Sequence, residues 1–393
     1  MKPATLTFKA VLVLLLLSLF AALPADAARR DKKEEEKKEA LYPNATRTEP
    51  KIKPVASLNK QLAKLYELND EEKFDDVLVE GQKILDHKKA GPYEKSIANQ
   101  VMGFAYIDKD DYPTAIKYLQ AALDANGLPN DSHYQMLGQI VQMQMAEERY
   151  EDAEKSSAQL LSETRSEKPE LLATRGNVLY RLERYDEAAE LLKKAIATSP
   201  EPQESWSQLL MNLAAIYAQA DDFEKASQVL ERARAANLLT EENDYRQLYA
   251  IYLNSEGKEK EAIAVINEGL QKNILKKNAE VYVALGQAYY FTEQPNEAID
   301  AYKSAVTLAT DGEPALNLAR MLSNEERHAE AKAAAQEAIR KGVKKPGDAY
   351  MVLGRAEFGL DNRAGLVAAY KEAAKFPETK QQAEEWLRKN GSK

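Results

Sequence analysis

The sequence predicts an all-α fold, a solenoid of stacked helical hairpins, and two observations carry that prediction. An alanine recurs at intervals of 33 to 38 residues along most of the chain. Most of these alanines follow an aromatic residue by three positions, as Tyr150 precedes Ala153. A period in the mid-thirties is typical of arrays of paired helices, in which each repeat buries its apolar face against its neighbours. The recurring alanines are Ala115, Ala153, Ala188, Ala226, Ala262, Ala298 and Ala331.

The first 27 residues have the pattern of a secretory signal peptide. Lys2 and Lys9 precede an apolar run over 10–22, and Ala25-Asp26-Ala27 provides the small residues of a cleavage site after Ala27. The run is shorter than the roughly 20 residues that a membrane-spanning helix needs. We therefore predict a periplasmic protein with no membrane span in the mature chain. The alternative is an uncleaved N-terminal anchor that leaves the repeats in the periplasm.

The region after the signal peptide divides into three predicted parts. Residues 28–56 mix both charge signs, contain prolines and lack apolar periodicity, which predicts a flexible leader. Residues 57–377 predict one continuous array of about nine hairpins, with atypical first and ninth copies that cap the stack. Residues 378–393 predict a C-terminal capping helix and tail, with Trp386 covering the last apolar face.

A second set of small residues is expected on the first helix of each hairpin, helix A. There they allow helix B, which carries the periodic alanine, to approach closely, with the alanine opposite. Larger neighbours then fill the space between hairpins. The small residues are Gly103, Gly176, Ala214, Ala250, Gly286, Ala319 and Gly354.

One copy of the pattern is especially clear. It contains, in order, Tyr282, Leu285, Gly286, Tyr289, Ala298, Tyr302 and Ala305. This order of large, Leu-Gly, aromatic, alanine, aromatic and alanine resembles the tetratricopeptide repeat, with tyrosine in place of the usual tryptophan. The resemblance implies a right-handed superhelical solenoid of about nine tetratricopeptide hairpins plus the capping helix. It also implies that the A helices face the inner wall, where protein partners bind.

The second half of the chain carries a narrower resemblance. Segments 248–275 and 337–360, which include the Gly-Val-Lys-Lys linker at 342–345, are similar to periplasmic tetratricopeptide proteins of gammaproteobacteria that are associated with TonB energy-transduction systems. The resemblance implies an accessory scaffold of TonB-dependent uptake of iron chelates or similar nutrients. Its partners would be TonB–ExbB–ExbD subunits or outer-membrane receptors. The alternatives are another envelope-assembly, polysaccharide-export or Tol-type scaffold, or a soluble carrier of a peptide or small ligand.

Composition excludes several other classes of function. The chain has no cysteine, so disulfides, thiol catalysis and thiolate metal sites are absent. Its net charge of −9 disfavours nucleic acid, whose phosphates require basic surfaces. His87, His133 and His328 fall in different repeats without a second ligand at metal-binding spacing, and no catalytic motif is present. We therefore expect a protein that is not an enzyme and that uses no metal or cofactor.

The tetratricopeptide resemblance places a set of polar and aromatic residues on or near the inner wall. Aromatic and arginine side chains are the ones that most often anchor protein interfaces. Tyr289, Tyr290 and Phe291 are consecutive, and one helix face cannot bury all three. Tyr290 and Phe291 are therefore expected either to face a partner or to pack between hairpins. The candidate partner-binding residues are Phe104, Asn177, Tyr180, Arg181, Asn212, Gln219, Gln287, Tyr290, Phe291, Arg320 and Arg355.

Overall fold

The structure is a computed structural model that describes residues 39–199 and 204–390. The predicted signal peptide, the start of the leader and the last three residues of the tail lie outside this part of the chain. Within the described residues, no helix is both long and apolar enough to cross a membrane.

Nineteen α-helices make up the described part of the chain, preceded by a short 3-10 helix at Ala56–Leu58. We number them in chain order, so that odd numbers are A helices, even numbers are B helices and α19 follows the last pair. The helices are α1 Asn59–Asp70, α2 Phe74–Leu85, α3 Pro92–Asp108, α4 Tyr112–Asp124, α5 Asn130–Ala146, α6 Tyr150–Thr164, α7 Pro169–Arg181, α8 Tyr185–Thr198, α9 Glu204–Gln219, α10 Phe223–Ala235, α11 Glu242–Leu253, α12 Glu259–Gln271, α13 Ala279–Phe291, α14 Pro295–Leu308, α15 Glu313–Asn324, α16 His328–Lys341, α17 Pro346–Gly359, α18 Arg363–Ala373 and α19 Lys380–Asn390.

The chain forms two compact units, where the sequence predicted one uninterrupted array. Unit 1 extends to Ile216 and unit 2 begins at Tyr217, so the boundary falls inside α9. Unit 1 contains the hairpins α1/α2 to α7/α8, and unit 2 contains α10, the hairpins α11/α12 to α17/α18 and the final helix α19. Each unit has its own apolar clusters, centred in unit 1 on residues such as Tyr134 and Leu137 and in unit 2 on residues such as Leu316 and Ala335.

The turn between helices A and B has the same backbone geometry in successive hairpins. After α13, the Gln294 amide donates to the Tyr289 carbonyl at 2.9 Å and the Glu293 amide donates to the Tyr290 carbonyl at 3.2 Å. Glu293 is left-handed, with φ of 57°. These are the two bonds and the left-handed residue of a Schellman helix end. Repetition of this turn keeps the spacing of helix A and helix B nearly constant, which explains the regular interval in the sequence.

All seven periodic alanines are fully buried on the B helices. The A-helix glycines do allow close approach, but the facing side chain is the residue four positions after the alanine. A methyl group at Gly176 would lie 2.1 Å from Leu192 Cδ1, and its nearest approach to Ala188 would be 3.4 Å from the carbonyl oxygen. The prediction that the alanine lies opposite the small residue is thus corrected, since the next turn of helix B provides the contact.

The prediction for Ala250 is wrong, because this residue is exposed. Tyr249 occupies the buried position in its place. The cause is a longer turn: α11 ends four residues before the left-handed Gly257, whereas α13 ends two residues before Glu293. The extra length shifts the register of α11, and a tyrosine fills the position that is glycine or alanine in neighbouring A helices.

The last helix covers the end of unit 2. The Trp386 ring on α19 lies 4.4 Å from the Tyr370 ring on α18, measured between centroids, and Ala383 is fully buried. The predicted fold class is confirmed: the described residues form an all-α array of tetratricopeptide-like hairpins with a capping helix.

Part of the predicted leader is hydrogen-bonded to the repeats. Residues 41–49 have no regular secondary structure, yet they hydrogen-bond to hairpins of unit 1, as between the Thr46 amide and the Glu163 carbonyl at 2.8 Å. Val55 is also anchored, because its amide donates to the Glu94 carboxylate at 2.6 Å. The expectation of a flexible tether is therefore wrong for these residues. The apolar content of this segment is low, and apolar periodicity does not detect side chains that dock by hydrogen bonding.

Candidate protein-binding surface

Three candidate residues of unit 2 occupy the same position on consecutive A helices. Gln287, Arg320 and Arg355 lie on α13, α15 and α17, each directly after the small residue of its helix. All three side chains are exposed. Because the helices repeat with the same internal register, these residues mark one exposed stripe on each A helix.

A second position lies three residues further along each of these helices. It holds Tyr290 on α13, Ser323 on α15 and Phe358 on α17. Residues three apart are neighbours on a helix surface, so this position adjoins the first one. We call the two positions together the unit 2 A-helix surface; its residues are Gln287, Tyr290, Arg320, Ser323, Arg355 and Phe358.

The end of α13 exposes two aromatic rings. Tyr290 and Phe291 are 44% and 57% exposed, and their rings meet edge to face with centroids 5.3 Å apart. By contrast, Tyr289 packs against the buried cluster of unit 2. The helix thus buries one of three consecutive aromatics and leaves the other two in solvent, which favours the first of the two alternatives drawn from the sequence.

Phe358 is the residue that sequence reasoning missed. Its side chain is 71% exposed, the highest value among the large apolar residues of the described chain. The repeat frame contained a signal for it, because Phe358 follows Gly354 by four residues, as Tyr290 follows Gly286. An alignment of the two copies position by position would have found it.

Charge on this surface is mainly cationic. Arg320 forms an ion pair with Asp348, with 3.0 Å between Nη2 and the carboxylate oxygen. Arg355 has no carboxylate within ion-pairing distance among the described residues. Burial raises the pKa of the neighbouring Tyr302 to about 12, with Tyr290 contributing, so Tyr302 stays neutral at physiological pH. The surface therefore combines aromatic rings with guanidinium groups.

Two candidates of unit 1 contact aromatic side chains of the same unit. Arg181 donates from Nη2 to the Tyr150 hydroxyl at 2.5 Å, and its guanidinium lies 5.0 Å from the centroid of that ring. Tyr180 is half-buried, with its ring 5.9 Å from that of Tyr185. Tyr180 is thus less exposed than Tyr290, its counterpart in unit 2, while Arg181 is exposed but bonded to α6.

The remaining candidates do not join the unit 2 A-helix surface. Phe104 is half-buried against the apolar cluster of unit 1. Asn177 is half-buried, and the Asn212 side-chain oxygen accepts a hydrogen bond from Gln208 at 2.9 Å. Gln219 is exposed at the end of α9. The structure thus brings four of the predicted residues, with Phe291, onto exposed A-helix positions of unit 2, and it distributes the others elsewhere.

No group of three or more histidine, aspartate and glutamate side chains arranged to hold a metal ion occurs within residues 39–199 and 204–390.

A stack of helical hairpins with exposed A-helix side chains is the architecture of a repeat protein that binds through an extended surface. Three family models, each described as a tetratricopeptide repeat, match residues 139–202, 179–251 and 279–311. The chain therefore carries tetratricopeptide repeats over 139–251 and 279–311, within its helical array. No functionally curated protein matches it.

Solved structures provide a further comparison. The C-terminal part of a repeat-containing protein from Cytophaga hutchinsonii superposes with a TM-score of 0.52 at 18% identity, over 63% of this chain and 98% of the other, and so shares the fold. A tetratricopeptide repeat protein from Parabacteroides merdae gives 0.43 at 16% identity, over 67% and 98%. YrrB, described as a tetratricopeptide protein with an unusual peptide-binding site, gives 0.41 at 21% identity, over 51% and 99%.

Proposed function

We propose that this chain is a protein-binding scaffold that holds its partner on the unit 2 A-helix surface. The observation that carries the proposal is the pair of exposed rings of Tyr290 and Phe291 at the end of α13. Clusters of exposed aromatic side chains on a protein surface mark interaction sites. Arginines beside them add the second side chain that most often dominates binding energy.

The partner that fits this surface has apolar groups flanked by carboxylates. Tyr290 and Phe358 offer apolar area, and Arg320 and Arg355 offer bidentate donors to acidic groups. Because Asp348 already pairs with Arg320, a partner carboxylate would compete with it. Exposed ion pairs contribute only about 0–1 kcal/mol to stability, so breaking the Arg320–Asp348 pair would reduce the free energy of partner binding by no more than that amount.

The proposed location is the periplasm, and the proposed role is that of an accessory scaffold in TonB-dependent nutrient uptake. The signal-peptide pattern over 1–27 supports the location, and the resemblance of 248–275 and 337–360 to TonB-associated proteins supports the role. The partners would then be TonB–ExbB–ExbD subunits or outer-membrane receptors.

Crosslinking in living cells tests the partner. The tagged chain, expressed at native level, is crosslinked, purified from the envelope and analysed by mass spectrometry. Recovery of TonB-system subunits or receptors is the expected result. Recovery of division, polysaccharide-export or outer-membrane-assembly proteins would reject the TonB role while leaving the scaffold. A tagged chain found in the cytoplasmic fraction would reject the periplasmic location.

A double substitution tests the surface. We expect Tyr290→Ala with Arg320→Ala to weaken binding of the captured partner at least tenfold, or by 1.4 kcal/mol, because an aromatic anchor and its neighbouring charge are lost. The helical circular dichroism should be unchanged, since both side chains are exposed.

Two variants serve as controls for that experiment. Leu308→Ala removes an apolar side chain of similar exposure from helix B of the same hairpin, and Asp348→Asn breaks the ion pair while keeping Arg320. Leu308→Ala should bind like the wild type, and Asp348→Asn should bind as tightly or more tightly, because it removes the carboxylate that competes for Arg320. If the double variant also binds like the wild type, the partner does not use the unit 2 A-helix surface.

A further inference from the structure

A second surface, in unit 1, is occupied by the chain's own leader. Residues 41–49 contact the turn before α5, the first turn of α5 and the end of α6. Within this segment Tyr42, Ala45 and Arg47 are half-buried, while the residues between them are exposed. The leader thus inserts a few side chains into the repeats and makes no helix or strand of its own.

Arg47 is held by a set of oxygen acceptors. Its Nη1 donates to the Asn130 side-chain oxygen at 2.6 Å, and its Nε and Nη2 donate to that of Asn126 at 3.0 and 2.6 Å. Nη2 also donates to the Leu128 carbonyl at 3.0 Å. In return the Asn130 side-chain amide donates to the Arg47 carbonyl at 3.1 Å. This arrangement matches the planar fork of a guanidinium, which a lysine would not reproduce.

The leader backbone is recognised as well. The Leu41 and Tyr42 amides donate to the Asp131 carboxylate at 3.1 and 3.3 Å. The Thr46 amide and hydroxyl donate to the Glu163 carbonyl at 2.8 and 3.1 Å. Side-chain and end-of-helix acceptors thus bind main-chain donors of a segment that turns between Tyr42 and Ala45, where the Ala45 amide donates to the Tyr42 carbonyl at 3.2 Å.

Tyr42 provides the apolar anchor. Its ring meets the ring of Tyr134 edge to face at 5.5 Å, and Lys168 Nζ lies 5.2 Å from the Tyr42 centroid. Tyr134 is fully buried in the presence of the leader. The ring therefore docks between an aromatic wall and a cation, two features that select an aromatic side chain.

The docked segment is joined to the repeats by an exposed connection. Residues 51–54 are all exposed, and the chain is next held at Val55. Release of residues 41–49 therefore breaks no helix, because the hairpins keep their own packing. Residues 41–49 can therefore leave the repeats without disrupting a hairpin, whereas two packed hairpins cannot separate without exposing the apolar side chains between them.

We propose that this surface is a peptide-binding site whose tethered occupant is residues 41–49 of the leader, and that a partner protein inserts a turned segment of the same chemistry. The segment carries an aromatic residue and an arginine five positions later, and the main-chain amides of the aromatic residue and of the residue before the arginine donate to the repeats. Asn126, Asn130 and Asp131 select it by accepting those donors. The site lies in unit 1 and does not depend on the unit 2 A-helix surface.

Peptide binding to the full-length chain tests the proposal. The probe is a fluorescently labelled peptide of residues 39–51, followed by anisotropy, with the same peptide carrying alanine at both anchors as control. The chain is used as the wild type and as the Tyr42→Ala/Arg47→Ala variant, which weakens its own occupant. A tethered segment competes at an effective concentration in the millimolar range, so the variant should bind the probe at least tenfold more tightly.

Each result of this experiment either supports or overturns the proposed site. Tighter binding by the variant, lost with the alanine peptide, supports the site. Equal binding by both chains, or no binding by the variant, overturns it. A wild-type dimer in light scattering that the variant loses would place a second copy's leader in the site and would overturn the partner peptide. If the double variant does not fold, as judged by circular dichroism, Arg47→Ala alone is tested with the same criteria.

Discussion

Single residues at the hairpin turns combine two opposing effects. Two residues after most A helices end lies a left-handed acidic residue, such as Asp110, Glu183 or Asp361, where glycine is the usual choice. A left-handed conformation costs a non-glycine residue about 1–2 kcal/mol. Each of these acids stands just before the first turn of a B helix, whose dipole favours negative charge. The position therefore accepts backbone strain in exchange for favourable electrostatics at the start of helix B.

Buried and exposed alanines of the repeat should respond differently to enlargement. We expect Ala298→Leu to destabilise the protein by about 1–3 kcal/mol, because this side chain is fully buried against helix A. Ala250→Leu makes the same chemical change at an exposed helical position and should alter stability by less than about 0.5 kcal/mol. Thermal and urea unfolding measure both. Equal losses would contradict the register shift of α11.

At the scale of helices, one carboxylate links three elements of unit 2. Glu268 on α12 accepts hydrogen bonds from Lys272 at 2.7 Å, from the Tyr245 hydroxyl of α11 at 2.8 Å and from Arg234 of α10 at 2.9 Å. Burial alone would raise the pKa of Glu268, but these donors outweigh it and lower the pKa to about 2. The network ties helices whose register is otherwise perturbed by the longer α11–α12 turn.

Removing this charge should weaken unit 2. We expect Glu268→Gln to cost about 1–3 kcal/mol, the range for hydrogen bonds to charged groups. Because the pKa of Glu268 is lower in the folded protein than in the unfolded chain, its stabilising contribution is complete above about pH 4.5 and is lost as the pH falls towards about 2. The variant should therefore lose less stability than the wild type over that interval.

Glu280→Gln is the matched control for this change. Glu280 pairs with Arg246 at 2.6 Å but is 71% exposed, so its loss should cost less than about 1 kcal/mol. Chemical unfolding at neutral and acid pH compares the three proteins. A Glu268 variant as stable as the Glu280 variant would show that the network contributes nothing beyond an exposed pair.

At the scale of the whole molecule, the chain consists of two compact units, and residues 41–49 of the leader contact the helices of unit 1. Docking of residues 41–49 places Arg47 beside His133, a buried histidine at the start of α5. Burial is the larger cause and the positive charge of Arg47 the second; together they lower the pKa of His133 to about 4, against opposing contributions from Glu163 and Asp124. Leader docking and histidine protonation are therefore linked.

This linkage predicts a pH dependence. Because the folded pKa is below the unfolded value of about 6.5, the stabilisation is complete above about pH 6.5 and is lost as pH falls from there to about 4. The maximal slope is about 1.4 kcal/mol per pH unit. We expect His133→Gln to flatten the dependence in this interval, measured by urea unfolding from pH 4 to 7.5.

Amide exchange locates the effect of His133. In the wild type, protection of the Thr46 amide should fall over the same pH interval, since it bonds to the Glu163 carbonyl only when the leader is docked. His87→Gln, which changes a half-buried histidine two residues beyond the end of α2, is the control and should behave like the wild type. Parallel pH curves for wild type and His133→Gln would contradict the linkage.

The repeat pattern predicted the fold because it records local requirements that every copy shares. Ala298 is small because helix A crosses it, and the interval is constant because the same turn recurs. Prediction failed where one copy departed from the rest. Ala250 lay one residue out of register because the α11–α12 turn is longer. Phe358 keeps the register of Tyr290, and only a position-by-position comparison of the two copies would have found it.

By itself, the sequence determined that this protein is an all-α array of tetratricopeptide hairpins, since period, small residues and buried alanines are properties of each repeat. Only the tertiary structure decided which side chains remain in solvent and which dock elsewhere. Tyr290 and Phe358 are exposed because of helix orientation, and Arg47 is held by residues some 80 positions away in the chain. Such contacts depend on which surfaces meet after folding, and no local pattern encodes them.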